Sequence, residues 1–255
     1  MTPRLHSDFL TKPLAHRGLH DVSDRRPENS RAAIQAAISH GYGIEIDLQL
    51  SADQKAIVFH DFTLDRLTNE VGLVRQRSAK QLSAIPLTGG AEGIPDLADI
   101  LDLVAGQVPL LIEFKDQDGT MGKNVGSLEK AAANDLATYA GPVGVMSFNP
   151  NSVALMAELL PEVPRGIVTS AYHFDNWALS HAICYYLRDI PDFDRVGASF
   201  ISHDMTDLDR PRVAFLKDAG ADVLCWTVKS AEQEVEARKV AQNITFEQYL
   251  AKFDA

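Results

Sequence analysis

Short apolar runs alternate with amphipathic stretches along almost the whole chain. Eight of these runs have the length and composition of buried strands, and the segments between them read as helices. The predicted strands span residues 13–16, 43–50, 109–115, 143–147, 166–169, 196–200, 222–228 and 243–246. A strand followed by a helix, repeated eight times, predicts a (β/α)8 TIM barrel of the α/β class, with a doubly wound open sheet as the alternative.

Two of the predicted helices have clear boundaries. The segment 29–40 has helical periodicity, with Asn29 or Ser30 as its N-cap and Gly41 as its stop. A second helix follows Pro95, with Asp96 as its N-cap. Its apolar residues follow the i, i+3, i+4, i+7 spacing, at Leu97, Ile100, Leu101 and Val104.

The longest interruption of this alternation spans residues 62–93, between the second strand and its helix. It is rich in Thr, Asn, Gly and Gln, which predicts a long loop or a small subdomain over the mouth of the barrel. No linker or low-complexity tract divides the rest of the chain. We therefore expect residues 1–255 to form a single barrel domain, with residues 62–93 as a loop insertion.

Composition narrows the classes of partner and compartment. The formal net charge of -11 argues against nucleic acid or an anionic membrane as the main partner, because both require basic patches. The N-terminus lacks the apolar run of a signal peptide, and no run of about 18 apolar residues predicts a membrane span. Cys184 and Cys225 are expected to be reduced core thiols. We expect a soluble, cytoplasmic protein.

Carboxylates on two predicted strands form a candidate metal site. Alternation along 43–50 places Glu45 and Asp47 on one face, and Glu113 lies near the end of strand 109–115. Inside a barrel these groups would repel each other and lose hydration, and a bound cation would remove both costs. Three carboxylates without cysteine favour Mg²⁺ or Ca²⁺ over structural zinc. The alternative for Glu113 is an ion pair with Lys115.

Two histidines are candidates for proton transfer. His16 ends the first strand, and His60 ends the apolar run that follows the second strand. A single histidine in such a place is more often a core or surface residue, but two of them beside carboxylates indicate acid–base chemistry. Asp61 is assigned a structural or supporting role, because adjacent residues on an extended chain point apart. Arg17 is a candidate phosphate ligand, with a surface arginine as the alternative.

Lys115 is the second candidate cation for an anionic substrate. It lies at the carboxyl end of its predicted strand, beside Glu113. A net negative chain must hold a phosphate with a few local cations, and a planar guanidinium together with a point-like ammonium would form such a clamp. The alternative is a solvated lysine at the tip of a strand.

The ordered set of short motifs resembles the glycerophosphodiester phosphodiesterase family, from Leu14 to about Glu247. The motifs are His16-Arg17-Gly18, Pro27-Glu28-Asn29-Ser30, Glu45-Ile46-Asp47, His60-Asp61 and Glu113-Phe114-Lys115. The resemblance implies metal-dependent hydrolysis of a glycerophosphodiester to sn-glycerol 3-phosphate and an alcohol.

The resemblance also implies roles for residues outside the strand ends. It places Glu28 and Asn29 close to the metal and the phosphate, and the Trp226 ring beside the glycerol pocket. Met146-Ser147-Phe148 matches a segment that lines the mouth. Lys229 stands where asparagine is common, and the segment 243–247, which ends in Glu247, replaces a usual Thr-Asp ending. These departures leave the reaction class unchanged but affect the expected substrate preference.

The expected mechanism combines these residues. Glu45, Asp47 and Glu113 would hold the ion, while Arg17 and Lys115 would stabilise charge on the phosphoryl group. The two histidines would transfer protons, with His16 as acid and His60 as base. By resemblance, the glycerol 2-hydroxyl attacks first, and water then opens the cyclic phosphate.

Other functions stay open at this level. One is a phosphodiesterase for a sugar or opine headgroup, and another is a lyase that releases the cyclic phosphate. A non-catalytic phospho-ligand-binding barrel is disfavoured, because both histidines and all three carboxylates are present. We expect a small soluble phosphodiester as the partner, without nucleic acid or membrane insertion. No motif includes His173, His181 or His203, and His203 is expected in a loop.

Overall fold

The computed structural model describes residues 2–253, which include a closed barrel with helices packed outside it. The strands are β1 (Leu14–Ala15), β2 (Gly43–Leu50), β3 (Ala56–Val58), β4 (Leu110–Phe114), β5 (Val143–Ser147), β6 (Arg165–Thr169), β7 (Phe200–Asp204), β8 (Asp222–Val228) and β9 (Asn243–Phe246). The helices are α1 (Asp8–Thr11), α2 (Arg31–His40), α3 (Ala79–Leu82), α4 (Leu97–Val104), α5 (Ser127–Leu136), α6 (Pro150–Leu159), α7 (His181–Arg188), α8 (Pro211–Asp218) and α9 (Ala231–Ala237).

Eight of the strands are parallel and form the barrel. Their order is β1-β2-β4-β5-β6-β7-β8-β9, and β1 pairs with both β2 and β9, which closes the ring. The remaining strand, β3, pairs antiparallel with the end of β2, from Leu48 to Leu50. The predicted (β/α)8 barrel is therefore confirmed.

The predicted strand at 196–200 is wrong, because the strand in this region is β7. Val196 and Ala198 are buried in a turn, in which Gly197 has a φ of +58°. Polar Ser202 and His203 instead occupy buried positions in the strand. Apolar residues buried in a turn resemble a strand when only hydrophobicity is considered. The expectation that His203 lies in a loop is wrong for the same reason.

The predicted ends of two helices are confirmed. The Ser30 hydroxyl caps α2 by accepting a hydrogen bond from the Ala33 N–H, and Gly41 ends this helix with a φ of +76°. Asp96 caps α4 by accepting from the Asp99 N–H. Gly41 adopts this left-handed conformation without the steric cost that a β-carbon would add.

The interior of the barrel is apolar at one end. The N-terminal segment contributes Leu5 and Phe9, which pack among inward-facing apolar residues of the strands. The strand residues in this cluster are Leu14, Leu111, Met146, Val168, Phe200 and Leu224. His16, Glu113 and Lys115 lie at or just beyond the carboxyl ends of their strands, where this fold places its active sites.

The 62–93 insertion has a small core of its own. Buried apolar residues from the insertion pack with Ile57 and Phe59 of the preceding run and with Ile94. The insertion members of this cluster are Leu64, Leu67, Val74, Leu82, Ile85 and Leu87. Of the two alternatives, the small subdomain fits this packing better than an open loop. The assignment of residues 1–255 to a single domain stays a prediction.

The helices packed around the barrel are short. Among residues 2–253, none of them combines the length and the apolar character needed to cross a membrane.

Candidate active site

A cavity of about 100 Å³ lies at the carboxyl ends of the barrel strands. It gathers most of the candidate residues, although they are far apart in the sequence. Its lining consists of His16, Arg17, Glu45, His60, Glu113, Lys115, Met146, Phe148, Val168, Trp226, Thr227 and Thr245.

Three carboxylates form a compact cluster beside this cavity. Asp47 and Glu113 are register partners on the adjacent parallel strands β2 and β4, and Glu45 precedes Asp47 by two residues. Carboxylate oxygens of all three lie within 4.8 Å of one another. Glu45, Asp47 and Glu113 are 2%, 1% and 7% exposed. Three converging oxygen donors suit a hard cation such as Mg²⁺ or Ca²⁺.

Electrostatics within the cluster support this fit. Burial and the neighbouring charges of Asp47 and Glu113 raise the pKa of Glu45 well above its ordinary value. Burial alone would also raise the pKa of Asp47, but the charge of Lys115 leads a set of positive neighbours that lowers it strongly. Two basic side chains, Lys115 and Arg17, face three carboxylates, and Arg17 also pairs with Glu28, so the basic side chains compensate only part of the negative charge. The residues therefore fit a divalent cation.

Two basic side chains border the same carboxylates. Lys115 Nζ lies 2.7 Å from Asp47 Oδ1 and 2.6 Å from Glu113 Oε1. Arg17 Nε lies 3.4 Å from Asp47 Oδ2, and the Arg17 backbone N–H donates to Glu45 Oε2 over 3.1 Å. The ion pair between Glu113 and Lys115, which the sequence left open as an alternative, is thus present together with the carboxylate cluster.

Each candidate catalytic histidine has a carboxylate on the same ring nitrogen. His16 Nδ1 lies 2.6 Å from Glu247 Oε2, and His60 Nδ1 lies 2.6 Å from Asp61 Oδ1. Burial lowers the pKa of His16, and the hydrogen bond to Glu247 offsets part of that shift. Contacts of this kind fix the orientation of each ring, and Nε2 is then the nitrogen that remains for proton transfer.

The reasoning that adjacent His60 and Asp61 would point apart is wrong. The backbone bends at both residues, directly beyond the end of β3, and is not extended there. The bend lets the Asp61 carboxylate contact the neighbouring ring. Hydrogen bonds from His60 and Arg66 outweigh the effect of burial and lower the pKa of Asp61.

Two residues of this site were not identified from the sequence. Glu247 was noted only as the end of a segment that departs from the family pattern and affects substrate preference, not as a partner of His16. Arg66, in the insertion, donates from Nε to Asp61 Oδ2 over 2.7 Å and from both Nη atoms to Glu28. Nothing in the pattern of the 62–93 segment distinguishes Arg66 from its other basic residues.

Glu28 and Asn29 lie near the cluster in different ways. Glu28 Oε1 accepts from Arg17 Nη1 over 2.7 Å, so it contacts the cations and not the three carboxylates. The Asn29 amide donates to Asp47 Oδ2 over 2.9 Å. These contacts are consistent with the supporting positions that the resemblance implied.

Aromatic residues border the cavity on another side. The Trp226 indole N–H donates to the Ser202 carbonyl over 3.0 Å, which orients the ring. Phe148 packs edgewise against Trp226, with 5.6 Å between ring centroids. The predicted position of Trp226 beside the pocket is therefore consistent with the structure.

His173, His181 and His203, which no motif includes, do not line the cavity. His203 is fully buried, with Nδ1 2.6 Å from Thr169 Oγ1 and Nε2 3.2 Å from Asp207 Oδ2. His173 is exposed, and His181 begins α7 and stacks on Phe174.

Fold and site together define an α/β-barrel protein with an acidic, histidine-containing pocket at the carboxyl end of its strands. The model of the glycerophosphoryl diester phosphodiesterase family matches residues 16–244. The chain belongs to this family, which confirms the predicted enzyme class.

Individual relatives align with this chain over most of their own length. The Bacillus subtilis protein YhdW is 27% identical across 91% of this chain and 90% of its own. A glycerophosphodiester phosphodiesterase of Bacillus altitudinis is 29% identical across 71% of this chain and 73% of its own. A phosphodiesterase from Oleispira antarctica, solved with the product sn-glycerol-3-phosphate, shares the fold with a TM-score of 0.77, at 24% identity and 94% coverage of both chains.

Proposed function

We propose that this protein hydrolyses glycerophosphodiesters to sn-glycerol 3-phosphate and an alcohol in a reaction that depends on a divalent cation. The observation that carries the proposal is the convergence of three buried carboxylates, two histidines and two basic side chains, Arg17 and Lys115, at one small cavity. The sn-glycerol-3-phosphate bound to the Oleispira antarctica phosphodiesterase supports the choice of product.

The proposed ligands of the cation, Mg²⁺ or Ca²⁺, are Glu45, Asp47 and Glu113. When bound, the ion supplies positive charge that polarises a phosphoryl oxygen. Asn29 supports the set, because its amide donates to Asp47 and fixes the orientation of that carboxylate.

Arg17 and Lys115 are proposed to bind the phosphoryl group. Both are largely buried, and both already face the carboxylate cluster. Charge that develops on phosphoryl oxygens in the transition state is stabilised most strongly by cations that are held in place beforehand. The Glu28 carboxylate accepts a hydrogen bond from the Arg17 guanidinium and thereby limits the motion of the Arg17 side chain.

His16 and His60 are proposed to transfer the protons. One removes the proton from the attacking hydroxyl, and the other donates a proton to the departing alkoxide, so charge does not accumulate on either oxygen. We assign His16 as acid and His60 as base. Burial lowers the pKa of His16 and so favours the neutral ring. An acid role for His16 therefore requires that the bound anionic substrate favour the protonated ring.

The nucleophile of the first step is proposed to be the glycerol 2-hydroxyl. Its attack on phosphorus would expel the alcohol and form a cyclic phosphate, which water then opens to sn-glycerol 3-phosphate. Trp226 would lie against the glycerol carbons, as an aromatic face beside an otherwise polar cavity.

The leaving alcohol is proposed to be small and water-soluble, as in glycerophosphocholine or glycerophosphoethanolamine. The net charge of -11 opposes association with anionic phospholipid surfaces. Residues beyond the phosphate site, in the 62–93 insertion and at Lys229, would read the headgroup.

The test is a turnover screen over soluble glycerophosphodiesters, with Mg²⁺, with Ca²⁺ and after chelation, followed by phosphorus NMR. The proposal expects sn-glycerol 3-phosphate as the end product, with much lower kcat/KM for intact phospholipid in vesicles. A cyclic phosphate as the final product would support the lyase instead. Equal rates on vesicles would overturn the soluble-substrate assignment, and no turnover of any diester would overturn the hydrolase.

A further inference from the structure

Glu247 comes directly after β9, on the same side of the barrel as His16. Its backbone N–H donates to the Val228 carbonyl over 3.0 Å, and the His16 N–H donates to the Phe246 carbonyl over 2.9 Å. These two hydrogen bonds fix the backbone of Glu247 next to the end of β1. The carboxylate is therefore placed by the barrel itself.

Both oxygens of this carboxylate have partners. Oε2 lies 2.6 Å from His16 Nδ1 and 3.4 Å from His20 Nε2, whereas Oε1 lies 2.8 Å from Lys229 Nζ. The hydrogen bond from His16, and then the nearby His20 ring, lower the pKa of Glu247 strongly, so the group is an anion. Among its histidine partners, His16 makes the shorter contact.

An anionic carboxylate at Nδ1 selects one form of the imidazole. A carboxylate accepts hydrogen bonds but cannot donate them, so the neutral His16 ring must carry its proton on Nδ1. Nε2 is then the basic nitrogen of the ring. The same relationship holds at His60, where Asp61 contacts Nδ1 and is itself bound by Arg66.

We propose that Glu247 is a positioning residue that fixes the tautomer and the orientation of His16, and that Lys229 holds Glu247 in place. The inference rests on the proposed function in that it assigns proton transfer to His16. Lys229 and Glu247 are the two departures noted in the sequence, and here they form one ion pair.

The side chain of Lys229 is half exposed and that of Glu247 is 11% exposed. An ion pair with one exposed partner contributes little energy by itself, so the effect of Lys229 should be small. Loss of the carboxylate should have a larger effect, because it removes the hydrogen bond that fixes a proposed proton-transfer group.

The test uses the whole protein and nitrogen NMR of its histidines. In the wild-type enzyme without substrate, His16 should show the Nδ1–H tautomer, assigned by comparison with His16→Asn. In Glu247→Gln the signal should change to a mixture of tautomers. Glu236→Gln, the same change in an exposed glutamate that pairs with Lys239, should leave it unaltered.

Kinetics provide a second measurement. Glu247→Gln should lower kcat by roughly 10–100-fold with little change in KM, since the residue does not line the phosphate cavity. Lys229→Gln should cause a loss of about fivefold or less. Glu236→Gln should retain the wild-type rate.

An unchanged His16 tautomer in Glu247→Gln would overturn the positioning role, whatever the rate. If Glu247→Gln fails to fold, the wild-type spectrum carries the test, and a neutral His16 ring with its proton on Nε2 would then overturn the proposal. Absence of diester turnover in the wild type would overturn the proposed function alone, because the tautomer is measured without substrate.

Discussion

Arg66 forms a bidentate ion pair with Glu28, with distances of 2.8 Å from Nη1 to Oε2 and from Nη2 to Oε1. Glu28 also accepts from Arg17, whose Nε lies 3.4 Å from Asp47. Through its Nε atom, Arg66 binds Asp61 and thereby supports His60 as well. Arg66 thus contacts Glu28, which binds the proposed phosphate ligand Arg17. It also contacts Asp61, which binds the proposed acid–base residue His60.

We predict that Arg66→Gln lowers kcat/KM by roughly 10–100-fold, the usual cost of losing a group that orients site residues. Steady-state assays on soluble diesters measure it. Arg75→Gln is the matched control, because Arg75 is an exposed arginine of the same insertion, outside the Glu28–Asp61 contacts. Equal rates in both variants would show that the insertion does not support the site through Arg66.

We predict that activity requires a divalent ion held by the carboxylate cluster. Asp47→Asn and Glu113→Gln should each weaken binding of Mg²⁺ or Ca²⁺ at least tenfold, because each removes a charged oxygen donor. Calorimetric titration with each metal measures this without substrate. Asp118→Asn, which removes an exposed carboxylate beyond the end of β4, should bind like the wild type. Full turnover after exhaustive chelation would contradict the metal requirement.

We predict that His16→Ala and His60→Ala each lose about 10²–10⁴-fold in kcat while keeping the fold, since each would remove one proton transfer. The profile of kcat/KM against pH should be bell-shaped in the wild type, and each variant should lose one limb. His173→Ala, at an exposed position, is the control. A histidine whose replacement leaves wild-type turnover is neither the acid nor the base.

We predict that His203 makes stability fall as the pH is lowered. Burial lowers the pKa of His203, so below about pH 6.5 the unfolded chain binds more protons at this residue than the folded protein does. Its contribution is present above the unfolded pKa and is lost as the pH falls. One proton limits the slope to about 1.4 kcal/mol per pH unit.

Urea unfolding of the wild type and of His203→Gln, between pH 7.5 and pH 5.5, measures this contribution. The difference in unfolding free energy between the two proteins should narrow at the lower pH. Other groups, such as Glu45, titrate with the opposite sign, and the comparison removes them because both proteins share them. A constant difference would contradict the assignment to His203.

The barrel and much of its site could be predicted from the chain because their signals are local. Strand β2 is recognisable from alternation, and Glu45 and Asp47 share a face for the same reason. Caps such as Ser30 and Asp96 act within one helical turn. The end of β7 could not be predicted, because Ser202 and His203 are polar residues whose burial depends on contacts with distant strands.

By itself, the sequence determined the repeated strand–helix pattern, the inward carboxylates and the two histidines at the ends of apolar runs. These features depend on backbone periodicity and on which chemistry each side chain offers. Tertiary structure alone decided that Asp47 lies opposite Glu113, that Arg66 reaches Glu28, and that Glu247 contacts His16 across 231 positions. Barrel closure brings β9 beside β1, and no local pattern encodes which side chains then meet.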